Sequence, residues 1–208
     1  FTPVLIEQLE ELAQRTAAHL RDAQPLPDAV LSVLSAAPLP QAPELRLALR
    51  RALLRADRKH LGNRYPAFAA LVDLAPSFLS LETVRYASDA YLRDLGVWYH
   101  IAWLGETVKR TDLRAKLLIE RERDYSAEHC RTLLELIGEL LAGLLPRYRR
   151  LADRGQIELA VSPYAHPILP LLLDFSAARE AQPDALLPRA PAYPGGAERA
   201  RWHMREAL

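Results

Sequence analysis

The chain of 208 residues is long enough to bury a core and fits one domain or a large part of one. Half of its residues are hydrophobic and a quarter are charged, which is typical of a folded globular protein rather than a disordered one. Its formal net charge is +1, so the chain has no large excess of positive charge that would attract nucleic acid. No apolar run approaches the ~20 residues of a membrane span. We therefore expect neither a nucleic-acid nor a membrane partner.

Cysteine and histidine usage limits the chemistry further. Cys130 is the only cysteine, so an internal disulfide and a cysteine-based metal cluster are excluded. A lone cysteine is compatible with a reducing compartment, and we expect the protein to be cytoplasmic. His100 and His129 lack partners at metal-ligand spacing, and the chain has no phosphate-binding glycine loop. We therefore expect no metal and no cofactor.

The first half of the chain is predicted to be helical. Thr2-Pro3 is a helix-start signal, and an amphipathic apolar stripe follows it. Four more helices are expected, at about Asp28–Ala36, Glu44–His60 with an end at Gly62-Asn63, Pro66–Ala75, and Leu81–Leu104.

The second half adds the longest helix, one strand and a last helix. Ser126 opens a leucine-striped helix that ends at Arg154-Gly155. The short run Ile157–Val161, which has β-branched residues at its two ends, predicts a single strand, and Gly195-Gly196 precedes a helix that continues to Leu208. Because a lone strand cannot satisfy its own backbone hydrogen bonds, it should pair with strands outside this chain. We therefore expect a fragment of a larger sheet or barrel.

Glu158 lies inside the predicted strand, between Ile157 and Leu159. Side chains alternate along a strand, so its carboxylate faces away from the side on which these apolar neighbours lie. On a face that lines a barrel mouth it would act as a ligand, a hydrogen-bond acceptor or an acid/base group. On an edge strand it would be a carboxylate in solvent. The spacing alone leaves both interpretations open.

Tyr164 and His166 follow in the loop after this strand. Because His166 precedes Pro167, its backbone is expected to be extended. Its imidazole would bind a substrate hydroxyl or form a structural hydrogen bond. Tyr164 would stack on a ligand ring or cover the core. Both residues are candidates for substrate binding.

Aromatic side chains also cluster on the helix predicted at Leu81–Leu104. Trp98, Tyr99, His100 and Trp103 fall on two of its turns. Aromatic platforms suit sugar rings, whose axial C–H groups pack on π faces. An aromatic stripe at helical spacing is more often part of a buried core. Trp103 is therefore a candidate substrate-binding residue, with burial as the alternative.

Several short segments occur in an order that is typical of one enzyme family. The most specific is Gly155-Gln156-Ile157-Glu158 with its extension Ser162–Leu171, and the others are Phe1–Leu9, Leu92–Leu95 and Trp98–Gly105. In this order they resemble glycoside hydrolase family 57, the α-amylase and amylopullulanase group that acts on α-glucans. The Gly-Gln-Ile-Glu element looks like the second of the family's five signature regions.

The resemblance implies an α/β fold: a fragment of an incomplete (β/α) barrel, predominantly helical, with about one barrel strand at Ile157–Val161. Residues 1–154 would be a helical insertion region of the catalytic domain. Residues 155–208 would be the barrel strand, the substrate-site loop and the following helix. The substrate-binding candidates are Glu158, His166, Tyr164 and Trp103.

The resemblance also implies a retaining mechanism whose catalytic groups lie elsewhere. The family's nucleophile, a Glu, would lie just beyond Leu208, its general acid, an Asp, further downstream, and its first signature upstream of Phe1. No catalytic residue is therefore expected in this chain. It would form one wall of the site, would be inactive alone, and would have the remainder of its catalytic domain and an α-glucan as partners.

Two functions are thus expected as alternatives. The first is part of a retaining hydrolase or glucan transferase acting on starch or glycogen. The second is a non-catalytic helical module that docks a partner. The lone strand, and termini that look cut from a longer protein, favour the first.

Overall fold

The computed structural model of the chain describes residues 2–26, 28–55, 64–160 and 162–207. Within these ranges the regular structure is helical. The α-helices are α1 (Pro3–Asp22), α2 (Pro43–Leu53), α3 (Pro66–Leu74), α4 (Asp89–Trp103), α5 (Glu106–Thr111), α6 (Leu113–Arg121), α7 (Ala127–Asp153), α8 (Leu169–Leu173), α9 (Ala178–Ala181) and α10 (Gly196–Arg205). Short 3₁₀ turns lie at Leu31–Leu34, Ala75–Phe78, Thr83–Tyr86 and Phe175–Ala177. None of the helices in these ranges combines the length and the apolarity needed to cross a bilayer.

The predicted helix starts at Pro3 and after Ser126 are confirmed by α1 and α7. Of the helix predicted at 44–60, the structure describes α2, which ends at Leu53 and is followed by a turn at residues 54 and 55, and residues 56–60 lie outside the described residues. Its predicted end at Gly62-Asn63 lies outside the described residues.

The helix predicted over Leu81–Leu104 begins later than expected. A 3₁₀ turn occupies Thr83–Tyr86, and α4 starts at Asp89. The reason is a helix cap: the side chain of Ser88 accepts a hydrogen bond from the backbone N–H of Tyr91 at 3.1 Å. The periodicity of the apolar residues continues across this boundary, whereas the backbone hydrogen bonds do not.

The strand predicted at Ile157–Val161 is wrong for the described part of that segment. Residues 157–160 are not in a strand, and their backbone groups form no hydrogen bond with the backbone of another described residue. Val161 lies outside the described residues. A strand exists only through pairing with a neighbour, and the described ranges contain no strand to provide it. The predominantly helical character is confirmed, and the α/β barrel stays a prediction from the resemblance.

Two compact units divide the chain. The terminal unit contains Phe1–Leu12 and Ala142–Leu208, and the central unit contains Ala13–Leu141. The division predicted at residue 154, between an insertion region and a site region of a catalytic domain, stays a prediction.

The central unit has a conventional apolar core. Helix α4 contacts α2, α3 and the 3₁₀ turn at Leu31–Leu34. The largest side chains with almost no exposed surface are Trp98, Phe68, Leu34, Leu53, Leu92, Leu95, Ile101, Leu133, Leu134 and Leu136. Burial of this set stabilises the unit, at roughly 1.5–3 kcal/mol for each large apolar side chain.

The terminal unit is packed differently. Within its described residues no large apolar side chain is fully buried, and Leu159, Ile168 and Leu173 are all more than half exposed. Helices α8 and α10 pack closely in this unit, where a Cβ added to Gly196 would clash with the backbone oxygen of Leu172. Glycine is therefore required at that contact.

Candidate functional site

Gly155 lies at the C-terminal end of α7, the longest of the described helices. The chain turns there before the segment that contains Glu158. Gly155 has a φ of +65°, which lies in the left-handed region. Its N–H donates to the carbonyl oxygen of Ala152 at 2.8 Å, and the N–H of Gln156 donates to that of Leu151 at 2.9 Å. This pair of bonds is the Schellman motif, which satisfies carbonyl groups that the helix end leaves free. The predicted helix end is confirmed.

Gly155→Ala is expected to lower the free energy of unfolding by about 1 kcal/mol, because an L-residue is strained at this φ. No atom lies within 4 Å of the added Cβ, so the loss would be purely conformational. Gly143→Ala is the matched control, since Gly143 lies inside α7 and its Cβ would also meet open space. That change should raise stability by up to about 1 kcal/mol. Urea denaturation measures both; equal shifts of the same sign would contradict the prediction.

The segment that follows the turn borders a cavity of about 800 Å³ within the terminal unit. This volume is within the range of roughly 300–1,000 Å³ that is typical of small-molecule sites. The walls come from the start of α1, the second half of α7, residues 158–160 and 162, and Ala207 after α10. The lining residues are Pro3, Ile6, Leu145, Tyr148, Arg149, Ala152, Asp153, Glu158, Leu159, Ala160, Ser162 and Ala207.

Of the four predicted substrate-binding residues, Glu158 lines this cavity and the other three do not. Its side chain is exposed, and its carboxylate forms no hydrogen bond or ion pair with another described residue. An ionised carboxylate only accepts hydrogen bonds, and it has room for about four. Glu158 is therefore a free acceptor at the cavity wall.

Two further charged groups border the same cavity. Arg149 and Asp153 lie one turn apart on α7, and neither is paired with another described residue. The guanidinium offers several donors in a fixed plane, and the two carboxylates offer acceptors. Between apolar walls, this combination is suited to a neutral ligand that carries many hydroxyl groups.

Tyr164 is held by contacts on both its backbone and its ring. Its N–H donates to the carbonyl oxygen of His203 at 2.9 Å, and its carbonyl oxygen accepts from the N–H of Val4 at 3.2 Å. Its hydroxyl donates to the carboxylate of Glu7, and this bond raises the pKa of the phenol above its usual value. The ring meets that of Trp202 edge to face, with centroids 5.4 Å apart. Tyr164 does not line the cavity that contains Glu158.

His166 has a different backbone from the one predicted. Its φ is +54°, so the expectation of an extended backbone before Pro167 is wrong. The cause is a tight turn, in which the N–H of His166 donates to the carbonyl oxygen of Pro163 at 2.8 Å. Histidine is among the non-glycine residues that tolerate positive φ best. Its side chain is exposed and lies outside the lining of the Glu158 cavity.

Trp103 lies in the central unit, at the last residue of α4. Its side chain is 67% exposed, and its ring centroid is 6.3 Å from that of Tyr99. Trp98, from the same aromatic stripe, is only 2% exposed and belongs to the core. The stripe is therefore divided, with one tryptophan buried and the other available for contact with a ligand.

Two further reactive side chains of the central unit, those of His100 and Cys130, are not available to a ligand. Nδ1 of His100 is 2.8 Å from the carbonyl oxygen of Gly96, and burial lowers the pKa of this imidazole. Cys130 is buried, and burial raises the pKa of its thiol to about 11. A thiol with this pKa stays protonated and unreactive at neutral pH. Within the described ranges no group of three His, Cys, Asp or Glu side chains is arranged to hold a metal.

Sequence reasoning did not identify Trp202, His203, Arg149 or Asp153 as site residues. Arg149 belongs to the run Arg147–Arg150, whose basic residues are typical of an ordinary helix C-terminus. For Trp202 and His203 the available signal was a Trp-His pair in the helix predicted after Gly195-Gly196. Only the folded chain brings that helix against Tyr164.

Of the comparisons with known proteins, the comparison with family models gives a match. A model of glycosyl hydrolase family 57 matches residues 74–186, which is more than half of the chain. The matched range contains Trp103, Glu158, Tyr164 and His166. No curated protein and no solved structure gives a significant match.

Proposed function

This chain belongs to glycosyl hydrolase family 57, and we propose that it forms one wall of the substrate cleft of a retaining enzyme that acts on α-glucans such as starch or glycogen. The observation that carries this proposal is the carboxylate of Glu158, which pairs with no other described residue and lies at the wall of a cavity of about 800 Å³. Glu158 lies inside the range that the family model matches. The family match favours this function over a helical interaction module.

Glu158 is proposed to accept hydrogen bonds from the hydroxyl groups of one glucosyl unit. The Schellman turn at Gly155 supports this role, because it directs the chain from α7 into the cavity wall. Arg149 and Asp153 would complete the polar contacts, and the apolar lining would cover the C–H surfaces of the sugar. His166 and Tyr164, which lie outside the lining of this cavity, are proposed to serve another part of the glucan chain, and Trp103 is proposed to offer an exposed ring for stacking.

The bond-breaking groups are proposed to lie outside this chain. A retaining mechanism needs a nucleophilic carboxylate and an acid/base carboxyl group about 5–5.5 Å apart across the glycosidic bond. The nucleophile displaces the leaving sugar to form a glycosyl-enzyme, while the acid protonates the departing oxygen. Attack by water then completes hydrolysis, and attack by another glucan hydroxyl completes transfer. On this proposal the chain binds and orients substrate but is inactive alone.

The remainder of an incomplete (β/α) barrel is the proposed partner of the terminal unit. The exposed apolar side chains of that unit support the proposal, because Leu159, Ile168 and Leu173 would gain stability on being covered. We also propose a cytoplasmic location, with which the single cysteine of the sequence is compatible.

The test is the stereochemistry of the reaction catalysed by the full-length protein that contains this chain. With maltohexaose as substrate, proton NMR should show that the first product released has the α configuration of the substrate. Appearance of the β anomer first would overturn the retaining mechanism. Absence of any hydrolysis or transfer on α-1,4- and α-1,6-linked glucans would overturn the proposed function and favour the interaction module.

A further inference from the structure

A second cavity in the terminal unit is bordered by one face of α10. It has a volume of about 520 Å³ and is lined by Pro194, Gly195, Glu198, Arg199 and Trp202. Glu198 and Arg199 lie four and three positions before Trp202, so the three side chains share one face of α10. The same helix leads to Ala207, which borders the cavity of Glu158.

The indole ring of Trp202 is both accessible and held in place. It is 47% exposed. The ring of Tyr164 meets it at 75° with centroids 5.4 Å apart, and the ring of His203 meets it at 72° and 4.8 Å. Tyr164 is itself anchored by its hydroxyl bond to Glu7 and its backbone bond to His203. A ring fixed by two edge-to-face neighbours loses little freedom when a ligand binds.

The groups beside the ring have complementary hydrogen-bonding roles. Glu198 provides acceptors only, and Arg199 provides donors only. The guanidinium of Arg199 lies 5.2 Å from the ring centroid of Tyr193, a cation–π contact that orients it. The two charges cancel, so the lining of this cavity has no preference for a charged ligand.

We propose that Trp202, with Glu198 and Arg199, binds a glucosyl unit of the α-glucan at a subsite additional to the cavity of Glu158. The negative π face of the indole attracts the C–H groups of a sugar ring, and the two charged side chains hydrogen-bond its hydroxyl groups. This inference rests on the proposed function. Tyr164 is then a positioning residue, which acts on the sugar through the ring of Trp202.

The test measures binding of maltohexaose by isothermal titration calorimetry in the full-length protein. Trp202→Ala is expected to raise Kd at least about tenfold, as for tryptophan side chains that a bound partner covers at other binding surfaces. Met204→Ala is the matched control, because Met204 is also exposed on α10 but does not line the cavity, and its Kd should stay within twofold. Glu198→Gln keeps the shape of the helix surface and should raise Kd about threefold or more.

Steady-state kinetics separate positioning from folding. Tyr164→Ala should raise KM for maltohexaose and leave kcat unchanged, whereas partial unfolding would lower kcat by reducing the number of active molecules. If the wild-type protein binds maltohexaose and both Trp202→Ala and Glu198→Gln bind it equally well, this inference is wrong and the proposed function stands. If the wild-type protein binds no α-glucan, the proposed function itself fails.

Discussion

Replacing Glu158 by glutamine in the full-length protein is expected to lower kcat/KM on α-1,4-glucans about a hundredfold or more. Hydrogen bonds to sugar hydroxyls that tighten in the oxocarbenium-like transition state contribute substantially to glycoside hydrolysis. Glutamine preserves the size of the side chain but replaces one acceptor oxygen by a donor. Initial rates with maltohexaose measure the effect.

The same substitution should leave the fold intact. Glu158 is exposed and unpaired among the described residues, so its charge supports no contact that glutamine would break. The melting temperature should therefore match the wild type. Glu180→Gln is the control, because Glu180 is exposed on α9 of the same unit and lines none of the cavities described above. A Glu158→Gln enzyme with kcat/KM within twofold of the wild type would remove Glu158 from the site.

Trp98→Ala is expected to lower the free energy of unfolding by about 3–5 kcal/mol, the usual cost of removing a buried tryptophan. Trp98 is 2% exposed and contacts the rings of Tyr65 and Phe68, with centroids 5.2 and 6.4 Å away. Its indole N–H donates to the carbonyl oxygen of Glu122 at 2.8 Å. Glu122 has a φ of +67°, so the indole bond also supports a strained turn.

Trp103→Ala is the matched comparison, because it removes the same side chain from the same helix. Trp103 is 67% exposed, so its replacement should change the free energy of unfolding by no more than about 0.5 kcal/mol. Urea denaturation compares the two variants. Similar losses of stability would mean that Trp103 is also a core residue and would remove it from the candidate substrate-binding residues.

Trp98 and Trp103 show how much of side-chain burial can be predicted from helical periodicity. They are five positions apart, which corresponds to a rotation of about 140° around the helix axis. The sequence therefore indicates that they face different ways. It does not indicate which of them meets the core, because that depends on α3 and on the turn after α6, which are separate elements of the chain.

The segment after α7 shows that local composition does not suffice to predict a strand. The run at 157–161, with β-branched residues at its two ends, predicts a strand, yet residues 157–160 form no ladder with other described residues. Composition makes a segment able to pair, whereas pairing itself needs a second segment. Tyr164 is a similar case, because its contacts come from α1 and α10, at opposite ends of the chain.

The amino-acid sequence by itself determined the helical character of the chain, the start of α1 at Pro3, the end of α7 before Gly155, and, through a few short segments, the family. Capping, turn geometry and helical period act within a few residues, so a linear sequence contains them in full. Only the tertiary structure decided that Trp98 is buried while Trp103 is exposed, that Glu158 borders a cavity, and that Tyr164 holds the ring of Trp202. Burial and cavity formation depend on elements that are distant along the chain, and their packing is what selects among side chains that look equivalent in the sequence.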